Sequence, residues 1–171
     1  MQSVLQRKLK QTKPFSSQQE EVLILLQMAA HRLGEPLHRT MRAVGLTPNQ
    51  YNVLRILRGA GAEGLPCGEI GCRMITRDPD VTRLTDRLVR RGFATRTTVA
   101  GDRRVVRVAI TLEGLSVLES LDRTVEKMPL DMLAPLGAVE LAQLRAVLET
   151  LIENLDGESS VISRQSSARQ S

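Results

Sequence analysis

Three charged residues stand beside a glycine in the string VAGDRRVVRVAIT, residues 99–111. Asp102, Arg103 and Arg104 follow Gly101 directly, and the alternating valines after them predict a strand that leaves a hairpin turn. A guanidinium at a hairpin tip is suited to a polyanion, because it binds phosphate and is drawn into a narrow minor groove by concentrated negative potential. The alternative interpretation is a solvated turn with no partner.

The charge of the chain is divided unevenly along its length. The net charge is +5, but residues 65–110 carry ten arginines against five acids, whereas residues 112–158 carry three bases against ten acids. A basic block inside a folded region indicates a polyanionic partner, most often nucleic acid. Arginine-rich helix faces are also often only solvated surface, so charge alone does not decide between the two.

A second group of arginines lies on a helix predicted just before the hairpin. Asp78 is a suitable N-cap for this helix, Pro79 fits its first position and Gly92 is suited to end it. Its inner positions are apolar. Its outward positions carry threonine, aspartate and arginine, at Thr82, Arg83, Asp86, Arg87 and Arg90.

The preceding short helix and the spacing of charges both bear on the role of this predicted helix. A short helix after Pro66 precedes it across a tight turn, and two short helices joined in this way are typical of a helix-turn-helix unit. Helical spacing also places Asp86 within reach of Arg83 or Arg90, so part of the charge is expected to be paired within the helix.

Long apolar repeats flank this unit at both ends, one between Ser17 and Gly45 with Pro36 as an expected kink, the others after Thr111. They are too apolar to be peripheral, so we expect them to pack on each other and on a second copy of the chain. The predicted fold class is mainly α with a small β-hairpin wing (α+β). The predicted segments are a basic flexible arm at 1–16, an N-terminal dimerisation helix at 17–45, a winged helix-turn-helix DNA-binding lobe at 46–111, C-terminal dimerisation helices at 112–157 and a disordered tail at 158–171.

Composition excludes several classes of protein. An apolar fraction of 42% argues against wholesale disorder, and no apolar run approaches the ~20 residues of a membrane span. The N-terminus has no apolar signal core, so we expect a cytoplasmic protein without a membrane partner. The sequence has no phosphate-binding glycine loop, convincing catalytic triad or metal cluster, which argues against an enzyme and predicts neither metal nor cofactor.

The order of these elements resembles the MarR family of bacterial transcription regulators. The matching strings are GLTPNQYNVLRIL (45–57), EIGCRMITRDPDVTRLTDRLVRRGFATR (69–96) and GDRRVVRVAITLEG (101–114), and the resemblance extends over about residues 20–155. The most specific part is Asp-x-Arg at Asp102 and Arg104, followed by a strand and Thr-x-x-Gly from Thr111 to Gly114. The resemblance implies a winged helix-turn-helix homodimer that regulates transcription at a pseudo-palindromic double-stranded DNA site, most simply as a repressor.

The resemblance also implies roles for individual residues. Arg104 is expected to reach the minor groove, Asp102 to steady the wing, and Arg103 to contact phosphate. On the recognition helix, Thr82 and Arg83 lie where base edges come within reach, and Asp80 is expected to orient Arg83 or accept from a cytosine amine. Phosphate contacts are expected from Arg77, Arg87 and Arg90.

Relatives of this kind often release DNA when a small phenolic or lipophilic effector binds near the long helices. The candidate lining of such a pocket is Met28, His31, His38, Tyr51 and Arg55. The histidines are seven residues apart and share a helix face, but ordinary surface positions would explain them equally well.

Two other functions remain open. A thiol-based redox sensor would use Cys67, at a helix N-terminus that favours the thiolate, or Cys72. The two lie about 140° apart on one helix and are badly placed to bond within one chain. A winged-helix module for protein contact is the other alternative, although it would not need arginines on both helix and wing.

Overall fold

The computed structural model describes the backbone of residues 3–76, 80–99 and 102–168, and the side chains of residues 3–76, 80–98 and 106–157. Within these ranges the chain is mostly helical with a small antiparallel sheet, so the predicted fold class is confirmed. None of the described helices is long and apolar enough to cross a membrane. The elements are α1 (Val4–Leu9), α2 (Gln18–Ala43), α3 (Pro48–Ala60), a 3₁₀ turn (Gly61–Glu63), β1 (Leu65–Pro66), α4 (Cys67–Arg73), α5 (Val81–Arg90), β2 (Ala94–Val99), β3 (Asp102–Ile110), α6 (Leu112–Leu133) and α7 (Ala138–Ala168).

Helix α3 lies at the centre of the core. It begins with a reciprocal cap, because the Thr47 hydroxyl accepts from the Gln50 amide at 3.2 Å while the Gln50 side chain accepts from the Thr47 amide at 3.0 Å. Its apolar side chains pack against the strands and the neighbouring helices. The core residues that are fully buried are Met41, Val53, Leu54, Leu57, Ile70, Leu88, Val108 and Leu118.

The sheet contains the predicted hairpin and one strand that the sequence did not predict. Its order is β1-β3-β2, and β2 pairs with β3 from Ala94 opposite Ile110. The additional strand is only two residues long, with Leu65 opposite Val108. Gly64 leads into it with φ 61°, and a Cβ there would lie 2.3 Å from the Val108 carbonyl oxygen. Only glycine allows the two backbones to approach so closely.

The junction between β3 and α6 is fastened to the end of α5. The Thr111 hydroxyl donates to the Gly92 carbonyl at 2.6 Å and accepts from the Gly114 amide at 3.1 Å. The Thr111 amide donates to the Phe93 carbonyl at 3.1 Å. Gly92 has φ 74° and ends α5 as predicted. The Thr-x-x-Gly string therefore holds the base of the hairpin against the end of α5.

The N-terminal segment is more ordered than the flexible arm that the sequence predicts. Ser3 is the N-cap of α1 and forms a capping box with Gln6, and Leu5 is only 1% exposed. The prediction relied on composition and overlooked the reciprocal Ser3–Gln6 cap. Burial of a single leucine side chain contributes about 2 kcal/mol, which helps to hold such a short helix.

Helices α2 and α7 continue past residues where the sequence predicts a kink or an end. Pro36 lies inside α2, and Pro129 likewise lies inside α6. The backbone of α7 is helical to Ala168, beyond Gly157, where the sequence predicts a disordered tail. Extending an existing helix costs far less than nucleating one, so a polar segment of low intrinsic preference continues the helix that precedes it.

The chain divides into two compact units, Met1–Met128 and Pro129–Ser171. The first contains the sheet, the core, helices α1 to α5 and α6 as far as Met128. The second contains the rest of α6 and all of α7, most of whose large apolar side chains are exposed. These exposed residues are Val139, Leu141, Leu144, Val147, Leu151, Ile152 and Leu155.

Candidate nucleic-acid interface

Helix α5 begins two residues later than predicted. Asp80, not Asp78, is its N-cap, and its carboxylate accepts from the Arg83 amide at 3.1 Å. The second carboxylate oxygen pairs with Arg83 Nε at 2.9 Å. Asp80 bonds to both the amide and the side chain of Arg83. It therefore caps the helix and also orients the Arg83 guanidinium. Residues 77–79, which include the predicted contact Arg77, lie outside the described residues.

The outer side of α5 presents one polar and three basic side chains. Leu84, Thr85 and Leu88 are buried on the inner side. Arg87 and Arg90 form no ion pair with another described residue, and the Arg83 side chain is 77% exposed despite its bond to Asp80. Of the five residues predicted to face outward, Asp86 is half-buried and four are exposed: Thr82, Arg83, Arg87 and Arg90.

The exposed arginines are spaced to follow a polyanion. Arg83 and Arg90 are seven residues apart, which is about 10.5 Å along a helix. Arg83 and Arg87 also line a shallow open depression of about 180 Å³ together with Asp80 and Leu84. Guanidinium groups can bind phosphate or guanine edges in a bidentate way, so this side of the helix is chemically suited to duplex DNA.

The prediction that Asp86 pairs with Arg83 or Arg90 of its own helix is wrong. Its carboxylate lies 2.7 Å from Nη1 of Arg96, on β2. Nη2 of the same guanidinium donates to the Thr85 hydroxyl at 3.3 Å. The fold brings a partner from another element to Asp86, and helical spacing could not predict it.

Arg91 connects the ends of two helices. It donates to the carbonyls of Gly45 at 2.5 Å and Val44 at 3.2 Å, at the C-terminus of α2, and it lies 4.6 Å from the Phe93 ring centroid. The carbonyls after a helix lack intrahelical donors, and a guanidinium satisfies two of them. Sequence reasoning missed both Arg91 and Arg96. A signal for Arg91 was its place directly before the helix-ending Gly92.

Other arginines of the basic block are also structural. Arg107 on β3 donates to the carbonyls of Glu63 at 2.8 Å and Gly64 at 3.0 Å, and Arg73 pairs with Glu69 one helical turn away. The described arginines of the basic block therefore form two populations. One population bonds to other groups of the fold, and the other is exposed on α5.

The hairpin residues can be placed only in part. Asp102, Arg103 and Arg104 form the start of β3, and Val99 pairs opposite Asp102 after a register shift. The side chains of these three charged residues, and the whole of residues 100–101, lie outside the described residues. The predicted contacts of the wing therefore stay predictions.

The candidate effector residues fall into two groups. Tyr51 is 5% exposed, and Arg55 lies 5.9 Å from its ring centroid. Burial raises the pKa of Tyr51, and the Arg55 charge opposes this effect. On α2, His31 and His38 are not buried and Met28 is half-buried; Nε2 of His31 lies 3.8 Å from the Glu35 carboxylate.

The two cysteines have different surroundings. The sulfur of Cys67, at the start of α4, lies 3.6 Å from the Thr85 hydroxyl, whereas Cys72 is exposed. Both are free thiols. In the described residues, no group of three or more His, Cys, Asp or Glu side chains is placed to hold a metal ion.

Comparison with known proteins agrees with this geometry. The family model described as the MarR family matches residues 46–106, from the start of α3 into β3. The HTH-type transcriptional regulator PrsX of Escherichia coli is 30% identical over 104 residues, which is 60% of this chain and 63% of that protein. The match thus spans somewhat less than two thirds of that relative.

Solved structures extend the likeness beyond residues 46–106. BpsR of Bordetella bronchiseptica, whose DNA binding is regulated by 6-hydroxynicotinic acid, matches with a TM-score of 0.70 and 23% identity, over 81% of this chain and 97% of that one. At this identity the likeness concerns the fold. A MarR transcription factor from Planctomyces limnophilus is 35% identical, covers 80% of this chain and 99% of its own, and has a TM-score of 0.61. The chain therefore belongs to the MarR family of transcription regulators.

Proposed function

We propose that this protein binds double-stranded DNA as a homodimer and represses transcription from a two-fold site. The observation that carries the proposal is the exposed face of α5. Three arginines and a threonine project there from a helix whose opposite face is buried in the core. PrsX and the Planctomyces protein, which share the family, are named as transcription regulators.

The proposed reading of DNA assigns each exposed side chain a role. Helix α5 enters the major groove, where Thr82 and Arg83 reach base edges and Asp80 orients Arg83. Arg87 and Arg90, together with Arg77, contact phosphates. The wing follows the adjacent minor groove, with Arg104 inserted, Asp102 steadying it and Arg103 on phosphate.

We propose that a second copy of the chain buries two exposed apolar surfaces, one on α2 and one on α7. On α2, Val22, Leu23 and Leu33 are between 44% and 56% exposed. On α7, Leu144 and Leu151 are two helical turns apart on one face and are 38% and 39% exposed. Burial of such surface between two copies would place two α5 helices on one duplex.

A matched pair of variants tests DNA binding. Arg83 and Arg145 are both exposed, 77% and 76%, and each pairs with an acid near it on the chain, Asp80 or Glu149. Arg83→Gln is expected to weaken binding to a duplex selected by the parent protein by about tenfold or more, the range for loss of a bidentate base contact. Arg145→Gln should bind like the parent. Equal affinities for all three proteins would reject the proposed interface.

The dimer has its own test. Leu144→Glu with Leu151→Glu is expected to convert the protein to a monomer in sedimentation, because two charges per copy would enter an apolar contact. Gln143→Glu adds a charge on the same helix at an exposed polar position and should leave the dimer intact. A dimeric double variant would show that α7 does not form the contact.

Release by a small aromatic acid is the proposed regulation. Tyr51 and Arg55 combine an aromatic ring with a cation, which suits such a molecule, and Met28, His31 and His38 complete the proposed lining. The regulation of BpsR by 6-hydroxynicotinic acid supports this class of ligand. Titration of the DNA complex with a series of aromatic acids tests it. Release should weaken in Arg55→Gln, and release unaffected by that change would exclude Arg55.

A further inference from the structure

A single arginine joins the hairpin to the recognition helix. Arg96 leaves β2, the first strand of the hairpin, and bonds to two adjacent residues in the middle of α5. Nη1 lies 2.7 Å from Asp86 Oδ1, and Nη2 lies 3.3 Å from the Thr85 hydroxyl. Two directed bonds from one planar group restrict both the rotation of α5 about its axis and its distance from β2.

The Thr85 hydroxyl extends this network to the turn that carries the exposed residues. Thr85 is fully buried, and its hydroxyl donates to the Thr82 carbonyl at 2.8 Å while it accepts from Arg96. The Cys67 sulfur at the start of α4 lies 3.6 Å from the same oxygen. One buried oxygen therefore contacts α4, β2 and the first turn of α5.

We propose that Arg96 is a positioning residue of the DNA interface, which fixes the placement of α5 relative to the wing without contacting DNA itself. The inference rests on the proposed DNA-binding function. Its charge is matched by Asp86, and both side chains are partly buried, 35% and 40% exposed. An arginine engaged in this way orders other groups, whereas Arg87 and Arg90 are exposed and form no ion pair with another described residue.

The competing role for Arg96 is a direct phosphate contact. A substitution at Asp86 distinguishes this role from the positioning role. If Arg96 bound phosphate, Asp86→Asn would release it from a competing carboxylate and remove a negative charge near DNA, so binding would be unchanged or tighter. If Arg96 positions α5, Asp86→Asn breaks the same connection as Arg96→Gln and weakens binding. The two roles therefore predict different outcomes for one substitution.

The chain offers a matched control. Arg58 and Asp122 form an ion pair at 2.8 Å between α3 and α6, with both side chains about one third exposed, 35% and 33%. This pair also joins two elements, but it includes neither α5 nor the wing. Arg58→Gln should cost a comparable amount of stability and leave DNA affinity unchanged.

The experiment measures binding of full-length variants to a duplex selected by the parent, by fluorescence anisotropy at several salt concentrations. Arg96→Gln and Asp86→Asn are each expected to weaken binding by roughly fivefold to tenfold, and the double variant by no more than the worse single one. The slope of log K against log salt should be unchanged, because no phosphate contact is lost. Arg96→Lys should recover part of the affinity.

A second measurement does not depend on DNA. Amide hydrogen exchange in α5 of the isolated protein should accelerate in Arg96→Gln and Asp86→Asn and stay at the parent rate in Arg58→Gln. Unchanged or tighter binding by Asp86→Asn, or a smaller salt slope in Arg96→Gln, would overturn the positioning role. Unchanged exchange in α5 would overturn it independently. Failure of the parent to bind any duplex would instead reject the proposed function.

Discussion

Gly114 is the position where the smallest possible side chain should have a large effect. A Cβ at this residue would lie 2.2 Å from the Phe93 carbonyl oxygen and 2.8 Å from Ile110 Cγ1. The first atom belongs to backbone and cannot rotate away. An ordinary van der Waals contact of at least 3.4 Å requires the carbonyl to retreat by about 1.2 Å, and that carbonyl also accepts from the Thr111 amide at 3.1 Å.

The magnitude follows from three contributions. Overpacking of a closed site costs about 1–3 kcal/mol, and loss of the Thr111–Phe93 hydrogen bond costs about 1 kcal/mol. Alanine is better than glycine in a helix by about 1 kcal/mol, which opposes these costs. Gly114→Ala should therefore destabilise the protein by about 2 kcal/mol, or lower Tm by roughly 4–8 °C for a domain of this size.

The assay compares thermal unfolding of the parent, Gly114→Ala and Gly59→Ala at one protein concentration, because association shifts apparent stability. Gly59 lies in α3, and a Cβ added there would meet no neighbouring atom within 4 Å, so the same substitution should stabilise the protein by up to about 1 kcal/mol. Opposite signs for the two alanines are the expected result. A Gly114→Ala protein as stable as the parent would refute the close-approach argument.

Three other predictions concern single groups. The chain has one tyrosine and no tryptophan, so an ultraviolet titration reports on Tyr51 alone. The pKa of Tyr51 should lie above 10, and Arg55→Gln should raise this pKa further because the opposing charge is lost. This raised pKa adds stability that is present below pH 10 and is lost as the pH rises through the folded value. The pKa of Glu20 should lie below 4.5 by NMR, and Ser16→Ala should raise this pKa by removing the side-chain hydrogen bond. The lowered pKa of Glu20 contributes stability that is present above pH 4.5 and is lost as the pH falls through the folded value. Arg91→Gln should lower the free energy of unfolding by about 1 kcal/mol in denaturant titration, because it removes two exposed hydrogen bonds to carbonyls. No change would show that water replaces the lost donors.

Features specified by neighbouring residues were predictable from the sequence. The cap at Thr47, the end of α5 at Gly92 and the start of α6 at Thr111 each depend on a few adjacent positions. The exposed face of α5 also follows from helical periodicity. These local rules, together with the order of the elements, were sufficient to predict the winged-helix fold.

Features created by contacts between distant residues were not predictable. Asp86 pairs with Arg96 on a strand, although spacing along the helix offered two other arginines. Strand β1 has two residues, too few to show a pattern, and exists because β3 lies beside it. The N-cap of α5 was misassigned between Asp78 and Asp80, two residues of the same type, and only the hydrogen bond to Arg83 distinguishes them.

The separation of arginines into two populations has a consequence for divergence. Arg91, Arg96 and Arg107 bind carbonyls or a carboxylate of the fold, so their replacement costs stability. Thr82 and Arg83, the proposed base contacts, are exposed on α5 and can be exchanged at little thermodynamic cost. Substitutions on the exposed face of α5 could therefore accumulate during evolution while the free energy of unfolding stayed nearly unchanged. Duplicated copies of such a gene can acquire new targets without first acquiring a new fold.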